Sequence, residues 1–214
     1  MCRLLMANHK GIRALGENLK DFPGCSTMEE YLADLELRDG GHGNGYASFK
    51  AGKLVDFEKG VGLKVASAAR AMEASDYDWF LFHTREASGG IVTDANCHPY
   101  HITGKADIVA AANGNKRPVA PLAGIMGITD SEFILRMIAR MDMPLFDTLQ
   151  VFESNFFGFY NGKPFVKKGN RDMLKWQKGE AIVFASDFPF GMDGLYRPEE
   201  GYFWFDGMEG TPNK

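Results

Sequence analysis

Apolar and polar positions fall into short blocks along the chain, and each block predicts an element. Residues 2–9 are largely apolar and read as a strand. A helical spacing of apolar residues follows from Ile12 to Leu19. "STMEEYLADLELR" reads as a second helix, with Ser26 or Thr27 as N-cap and Glu29 or Glu30 reaching back to it. "DGGHGNG" reads as a flexible glycine-rich loop, and "YASF" and "KLVDF" alternate around "KAGK" as a hairpin. "VASAARAMEA" is a small-residue helix, and "DWFLFHTR" is an apolar strand buried on both faces. A loop rich in Gly, Asn and Pro is expected up to residue 104, then a buried strand in "DIVAAANGN" that ends at Asn113. "TDSEFILRMIARM" is a capped amphipathic helix. "FFGFYNGKPFVKK" is a hairpin about the Asn161-Gly162 pair, which favours a type I′ turn. "AIVFAS" and "YFWFD" are late strands.

Helices cluster in this order instead of alternating with strands. That argues against a doubly wound parallel sheet and for an α+β fold of antiparallel sheets covered by helices in layers. "GHGNG" precedes a strand, whereas the dinucleotide fingerprint needs glycines between a strand and a helix, so that reading is set aside. The 214 residues contain no repeat, low-complexity tract or Pro-rich linker, and they are expected to form one domain over 1–214 with a sizeable core.

Composition narrows the function. Hydrophobic residues make up 45% and charged residues 24%, as in soluble globular chains. A net charge of −4 argues against a nucleic-acid or anionic-membrane surface. No apolar run approaches a membrane span and no signal peptide is visible, so a cytoplasmic location is expected. Cys2, Cys25 and Cys97 are odd in number and widely spaced, which is no disulfide framework. "CHPYH" has loose spacing and no second ligand cluster, so no metal is expected there; His98-Pro99 reads as a loop anchor.

Chemistry concentrates where apolar strands stop. Cys2 directly follows Met1, and removal of Met1 would place a thiol and a free α-amine on one residue, a nucleophile with its own general base. Position alone also suits an ordinary apolar residue at a strand start. His83 and Arg85 share one side of their strand, and Arg85 has the fork to hold a carboxylate, or else reaches solvent or pairs with a local Asp. Asn113-Gly114 is either a turn or an oxyanion hole made of a side-chain amide and a backbone N–H. Asp130, or Thr129 beside it, caps a helix; alternatively Asp130 accepts hydrogen bonds from a substrate ammonium. As a set, a thiol, two oxyanion donors, an arginine and an aspartate suit the side-chain amide of a free amino acid, with glutamine the obvious one.

The order of short motifs resembles the class II glutamine amidotransferases, which are N-terminal nucleophile hydrolases. "MCRLL" is similar to their Met-Cys start, and "GHGNGYASF" to their glycine-rich loop and strand. "FHTREASGG" resembles His-x-Arg-x-Ala-Thr, "NCHPY" resembles Asn-x-His-Pro-Phe, "ANGN" resembles His-Asn-Gly, and "TDSE" matches Thr-Asp-Ser-Glu; "ASDFPF" is similar to a late Ala-Ser-Asp strand end. These matches run from residue 2 to about residue 190. The resemblance implies a four-layer αββα sandwich with Cys2 at the start of a central strand. It implies Cys2 as nucleophile, Asn113 and Gly114 as the oxyanion hole, and Arg85, Ser88 and Asp130 as the substrate grip. It implies no cofactor and a substrate of L-glutamine or a γ-glutamyl amide. The ammonia would pass to a partner synthetase, since the matched chain resembles stand-alone amidotransferase domains. Three positions depart from the pattern: Ala112 and Gly89 stand where histidines are common, and Glu86 where an aromatic or polar residue is frequent. They bear on substrate choice, not on the named catalytic groups. Two other readings keep the same site: a γ-glutamyl amide hydrolase without a partner, and a non-catalytic glutamine-binding domain that retains Met1. The oligomeric state and the ammonia acceptor are not legible.

Overall fold

The computed structural model describes residues 2–74, 76–87, 91–114, 118–188 and 191–210. The chain runs through β1 (Arg3–Asn8), α1 (His9–Leu19), α2 (Met28–Asp39), the hairpin β2 (Asn44–Lys50) and β3 (Lys53–Gly60), α3 (Val65–Glu73) and β4 (Trp79–Thr84). A short 3-10 turn at Asp94–Asn96 leads into β5 (Tyr100–Thr103) and β6 (Asp107–Asn113). Then come α4 (Ala120–Ile125), α5 (Asp130–Met141), α6 (Leu145–Gln150), and the hairpin β7 (Asn155–Tyr160) and β8 (Lys163–Lys167). The last strands are β9 (Leu174–Lys178), β10 (Ala181–Ala185), β11 (Leu195–Tyr196), β12 (Phe203–Phe205) and β13 (Met208–Gly210).

The strands form two sheets. One has the order β11-β9-β10-β1-β4-β2-β3 and the other β13-β12-β8-β7-β6-β5. Neighbours within each sheet are antiparallel. Alternation along the strands builds three apolar layers. In β1, Leu5 and Ala7 pack with Ile12, Leu15, Tyr31, Leu35 and Ala68 of α1, α2 and α3. Leu4 and Met6 face the other way, into a layer with Val109, Ala111, Phe157 and Phe184 between the sheets. In β6, Ile108 and Ala110 pack outward on Ile134, Leu135 and Ile138 of α5. The result is the four-layer αββα arrangement. Among the described residues no helix is long and apolar enough to cross a membrane.

Local chemistry sets the element ends. The Asn8 side chain accepts the Gly11 N–H at 2.7 Å, so α1 starts at His9, ahead of the Ile12 that its apolar spacing suggests. Thr27 and Glu30 form the capping box of α2, worth about 1 kcal/mol at such a helix start. β5 lies where a loop was expected. Tyr100 and Ile102 point inward and His101 and Thr103 outward, but four residues after a proline are too few to stand out as a strand. β9 escapes notice because its alternation is written in lysines. Lys175 is buried along its stem and reaches Glu209 with its ammonium.

Candidate active site

Cys2 immediately precedes β1, the strand held between β10 and β4 in the middle of its sheet. The alternation that sends Leu4 and Met6 between the sheets puts Cys2 on that same face. Cys2 is half-buried. Its Sγ lies 3.4 Å from the Glu86 N–H, from which it accepts, and 3.5 Å from the Glu86 carbonyl oxygen. The start of β1 is clamped from the other side by Ser186, whose N–H donates to Leu4 O at 2.9 Å and whose hydroxyl accepts the Leu4 N–H at 3.0 Å. Arg3 points to the opposite face and pairs with Asp39 at the end of α2.

Arg85 follows β4, and continuing the Arg3–Thr84 register puts it across from Cys2. Leu81 of β4 lies between the sheets, so His83 and Arg85 share that face, as their spacing predicted. Arg85 is only 5% exposed, which rules out the reading of an arginine reaching for solvent. Its backbone is fixed at both ends: N–H to Gly43 O at 2.8 Å, and carbonyl from His42 N–H at 2.9 Å. One guanidinium nitrogen donates to Ile91 O at 3.3 Å. His42, which carried no signal in the sequence, also accepts the Ala87 N–H on Nδ1 at 3.1 Å and so shapes the segment after Arg85. Ser88 lies outside the described residues.

Asn113 and Gly114 end β6 in the opposite sheet. Val109 and Ala111 face between the sheets, and Asn113 continues that row, paired with Asn155 in the ladder and 4% exposed. Gly114 has φ +122°, and a Cβ there would meet Ser154 Oγ at 2.8 Å. The two sheets are tied together beside this point by His98. Its Nδ1 accepts the Ala112 N–H at 3.1 Å, while its ring lies 4.3 Å from the ring of His83. The anchor fits because Gly45 of β2 has no side chain; a Cβ there would sit 2.1 Å from the His98 carbonyl oxygen. Gly45 is thus a strand residue chosen for close approach, not part of a flexible loop. Cys97 turns away from His98: it is fully buried, its thiol is pushed up by burial, and its Sγ lies 3.4 Å from Thr93 O. Among the described residues no three His, Cys, Asp or Glu side chains are grouped to hold a metal.

Asp130 is the first residue of α5, the helix on the outer face of the second sheet. The cap itself is Thr129, whose hydroxyl accepts the Glu132 N–H at 3.1 Å. Asp130 Oδ1 accepts the Ser131 N–H at 2.8 Å. The two capping candidates are therefore separated: Thr129 caps, and Asp130 stands beside the cap in the first turn. Cys2 and Arg85 come from adjacent strands of one sheet, Asn113 and Gly114 from the facing strand end of the other, and Asp130 from the helix behind it. The arrangement brings a thiol, a buried guanidinium and a buried amide to one end of the space between the sheets.

No protein-family model matches the sequence, and no curated protein matches it. Solved structures do. The chain is similar to glutamine phosphoribosylpyrophosphate amidotransferase from B. subtilis complexed with ADP and GMP, with TM-score 0.65 and 18% identity over 96% of this chain and 47% of that one. It is similar to the allosteric regulatory enzyme of purine biosynthesis, with TM-score 0.65 and 19% identity over 96% of this chain and 46% of that one. It also matches a glutamine aminotransferase class-II domain protein from Silicibacter pomeroyi, with TM-score 0.59 and 12% identity over 100% of both chains. The chain spans about half the length of the first two structures. Over nearly its whole length it has the fold of the class II glutamine amidotransferase domains, an N-terminal nucleophile hydrolase fold.

Proposed function

We propose that residues 1–214 form one amidotransferase-type domain that hydrolyses the side-chain amide of L-glutamine, with Cys2 as nucleophile. The observation that carries this reading is the position of Cys2. It immediately precedes the central strand of its sheet, where the alternation of Leu4 and Met6 puts it on the face between the sheets, across from the buried Arg85. In this reading Met1 is removed and the Cys2 α-amine takes the thiol proton. The sulfur attacks the amide carbon, and a C–S bond forms. The negative oxygen accepts hydrogen bonds from the Asn113 side chain and the Gly114 N–H. The C–N bond then breaks, and the proton held by the α-amine leaves with the nitrogen as ammonia. Water, deprotonated by the same amine, attacks the thioester and releases glutamate and the thiol. Arg85 grips the substrate α-carboxylate, Asp130 its α-ammonium, and Ser88 adds a further contact. The ammonia is used by a partner synthetase.

The test is turnover of protein whose N-terminus is Cys2, checked by intact mass, on L-glutamine, L-asparagine and several γ-glutamyl amides. Glutamine should be hydrolysed, and Cys2→Ala should reduce the rate on the order of a thousandfold or more. Fully active protein that retains Met1 would overturn the mechanism. Preference for a γ-glutamyl amide over glutamine would keep the site and replace the substrate.

A further inference from the structure

Tyr100 carries a hydroxyl at a place where the motif that "NCHPY" resembles ends in phenylalanine. It is 2% exposed, so that hydroxyl has left water and needs partners inside the protein. It has two: the Asn96 carbonyl at 3.2 Å and Thr129 Oγ1 at 2.8 Å. A phenol has one proton and a carbonyl oxygen cannot donate, so Tyr100 donates to Asn96 and the Thr129 hydroxyl donates to Tyr100. Thr129 can do so because its oxygen meanwhile accepts the Glu132 N–H at 3.1 Å. At the other end, the Asn96 side chain donates from Nδ2 to the Ile91 carbonyl at 3.1 Å, and Arg85 donates to that same carbonyl at 3.3 Å. A connected network therefore runs from the first turn of α5, where Asp130 sits, through the Asn96 residue itself to the Ile91 carbonyl, the acceptor it shares with the Arg85 guanidinium.

We propose that the Tyr100 hydroxyl is a positioning group for substrate recognition, fixing the spacing between Arg85 and Asp130. It thereby sets the preference for substrates that carry a carboxylate and an ammonium on one carbon. The inference rests on the glutamine reading of those two residues. The ring of Tyr100 is held independently of its hydroxyl. It packs 4.7 Å from the His98 ring, and Lys59 Nζ lies 4.4 Å above it. Tyr100→Phe thus keeps these contacts and removes one link, leaving the Asn96 carbonyl and the Thr129 hydroxyl to find other partners.

The experiment measures L-glutamine binding by calorimetry in the Cys2→Ala protein, and steady-state kinetics in the active mature protein, each with and without Tyr100→Phe. Kd and KM should both rise about five- to tenfold, the weight of one buried neutral hydrogen bond. Turnover should stay within about twofold, because the hydroxyl lies away from the bond that breaks. The rate of Cys2 alkylation by iodoacetamide should not change. The preference for glutamine over glutaramate, which lacks the α-ammonium, should narrow. Asn96→Ala cuts the same chain at its other joint, so it should give the same rise, and the double variant should be no worse than either single one. That second variant also carries the test if Tyr100→Phe fails to fold. Unchanged glutamine affinity in Tyr100→Phe, or additive losses in the double variant, would overturn the inference while leaving the glutamine reading standing. Failure of the Cys2→Ala protein to bind glutamine at all would overturn both.

Discussion

The chain contains two Asn-Gly pairs that end strands, and it uses them in opposite ways. Asn161-Gly162 joins β7 to β8, with φ of 50° and 76°. Both central residues are left-handed, as a type I′ hairpin turn requires, and Asn161 is exposed. Its side chain accepts the Asp107 N–H at 2.9 Å. Asn113-Gly114 makes no such turn. Asn113 stays in the β6 ladder opposite Asn155, and only Gly114 turns to positive φ. Asn113 is buried, on the face that looks toward the other sheet. The dipeptide is the same, so the difference comes from what flanks it. "FFGFY" and "KPFVK" are two strands that a two-residue turn can join directly. "DIVAAA" is followed by a helical segment, so the chain must leave the sheet instead of folding back onto it. A buried amide at a strand end is costly unless something uses it, whereas an exposed one costs little. That asymmetry separates the exposed turn from the buried strand end.

The largest expected effect sharpens the contrast. Asn113→Ala should lower turnover on glutamine on the order of a hundredfold or more, with a smaller change in KM. Steady-state kinetics beside a melting curve checks this. A near-normal turnover would make Asn113 a structural residue like its counterpart. Next in size is Gly114→Ala. The new Cβ meets Ser154 Oγ at 2.8 Å and Cα at 3.2 Å, and φ +122° is a conformation that alanine avoids. Ser154 is fully buried, so the 113–114 peptide should move and take its N–H with it. Turnover should fall roughly tenfold or more. Gly162→Ala faces a closer clash, 2.1 Å from the backbone oxygen of Gly52, yet this lies in an exposed-turn region. It should lower the melting temperature and leave the kinetics of the folded fraction unchanged.

Arg85 follows the end of β4 as Asn113 ends β6, each a buried polar group, and it predicts a different failure. Arg85→Lys keeps the charge but loses the planar fork, so glutamine binding should weaken about tenfold while the thiol still alkylates at its usual rate. Glutamine with a blocked α-amine should be a poor substrate, because Asp130 would face a neutral group. Should Arg85→Lys melt early yet bind glutamine normally, the grip assigned to Arg85 is wrong.

Much of this was legible in the chain, and the reasons are local. Period-two spacing put His83 and Arg85 on one face, and Thr27 and Glu30 marked a helix start through chemistry confined to four residues. Asn161-Gly162 announced its own turn. What escaped was non-local. Nothing near Cys2 says that β1 will lie between β4 and β10, strands about 80 and 180 residues away. His42 gave no signal because its partner, the Ala87 N–H, is backbone. Asn96 and Tyr100 were noticed within "NCHPY" but not linked to Thr129, since only the fold brings β5 against the start of α5. Lys175 hid its strand by being buried under a charged name.

The smallest expected effect is the one most able to break the comparison. Asn161 holds a left-handed conformation that costs most L-residues about 1–2 kcal/mol and that asparagine tolerates better. Asn161→Ala should therefore destabilise the protein by about 1 kcal/mol, part of it from losing the acceptor for the Asp107 N–H. Asn161→Gly restores the backbone freedom and should recover some of that loss. Neither variant should change kcat or KM on glutamine, because the turn closes the β7–β8 hairpin at the end of β7 away from Asn155, the ladder partner of Asn113. Chemical denaturation with kinetics on the same samples decides it. A drop in turnover for Asn161→Ala comparable to that of Asn113→Ala would mean that both pairs act only through the stability of the second sheet. Asn113 would then lose its claim to the oxyanion.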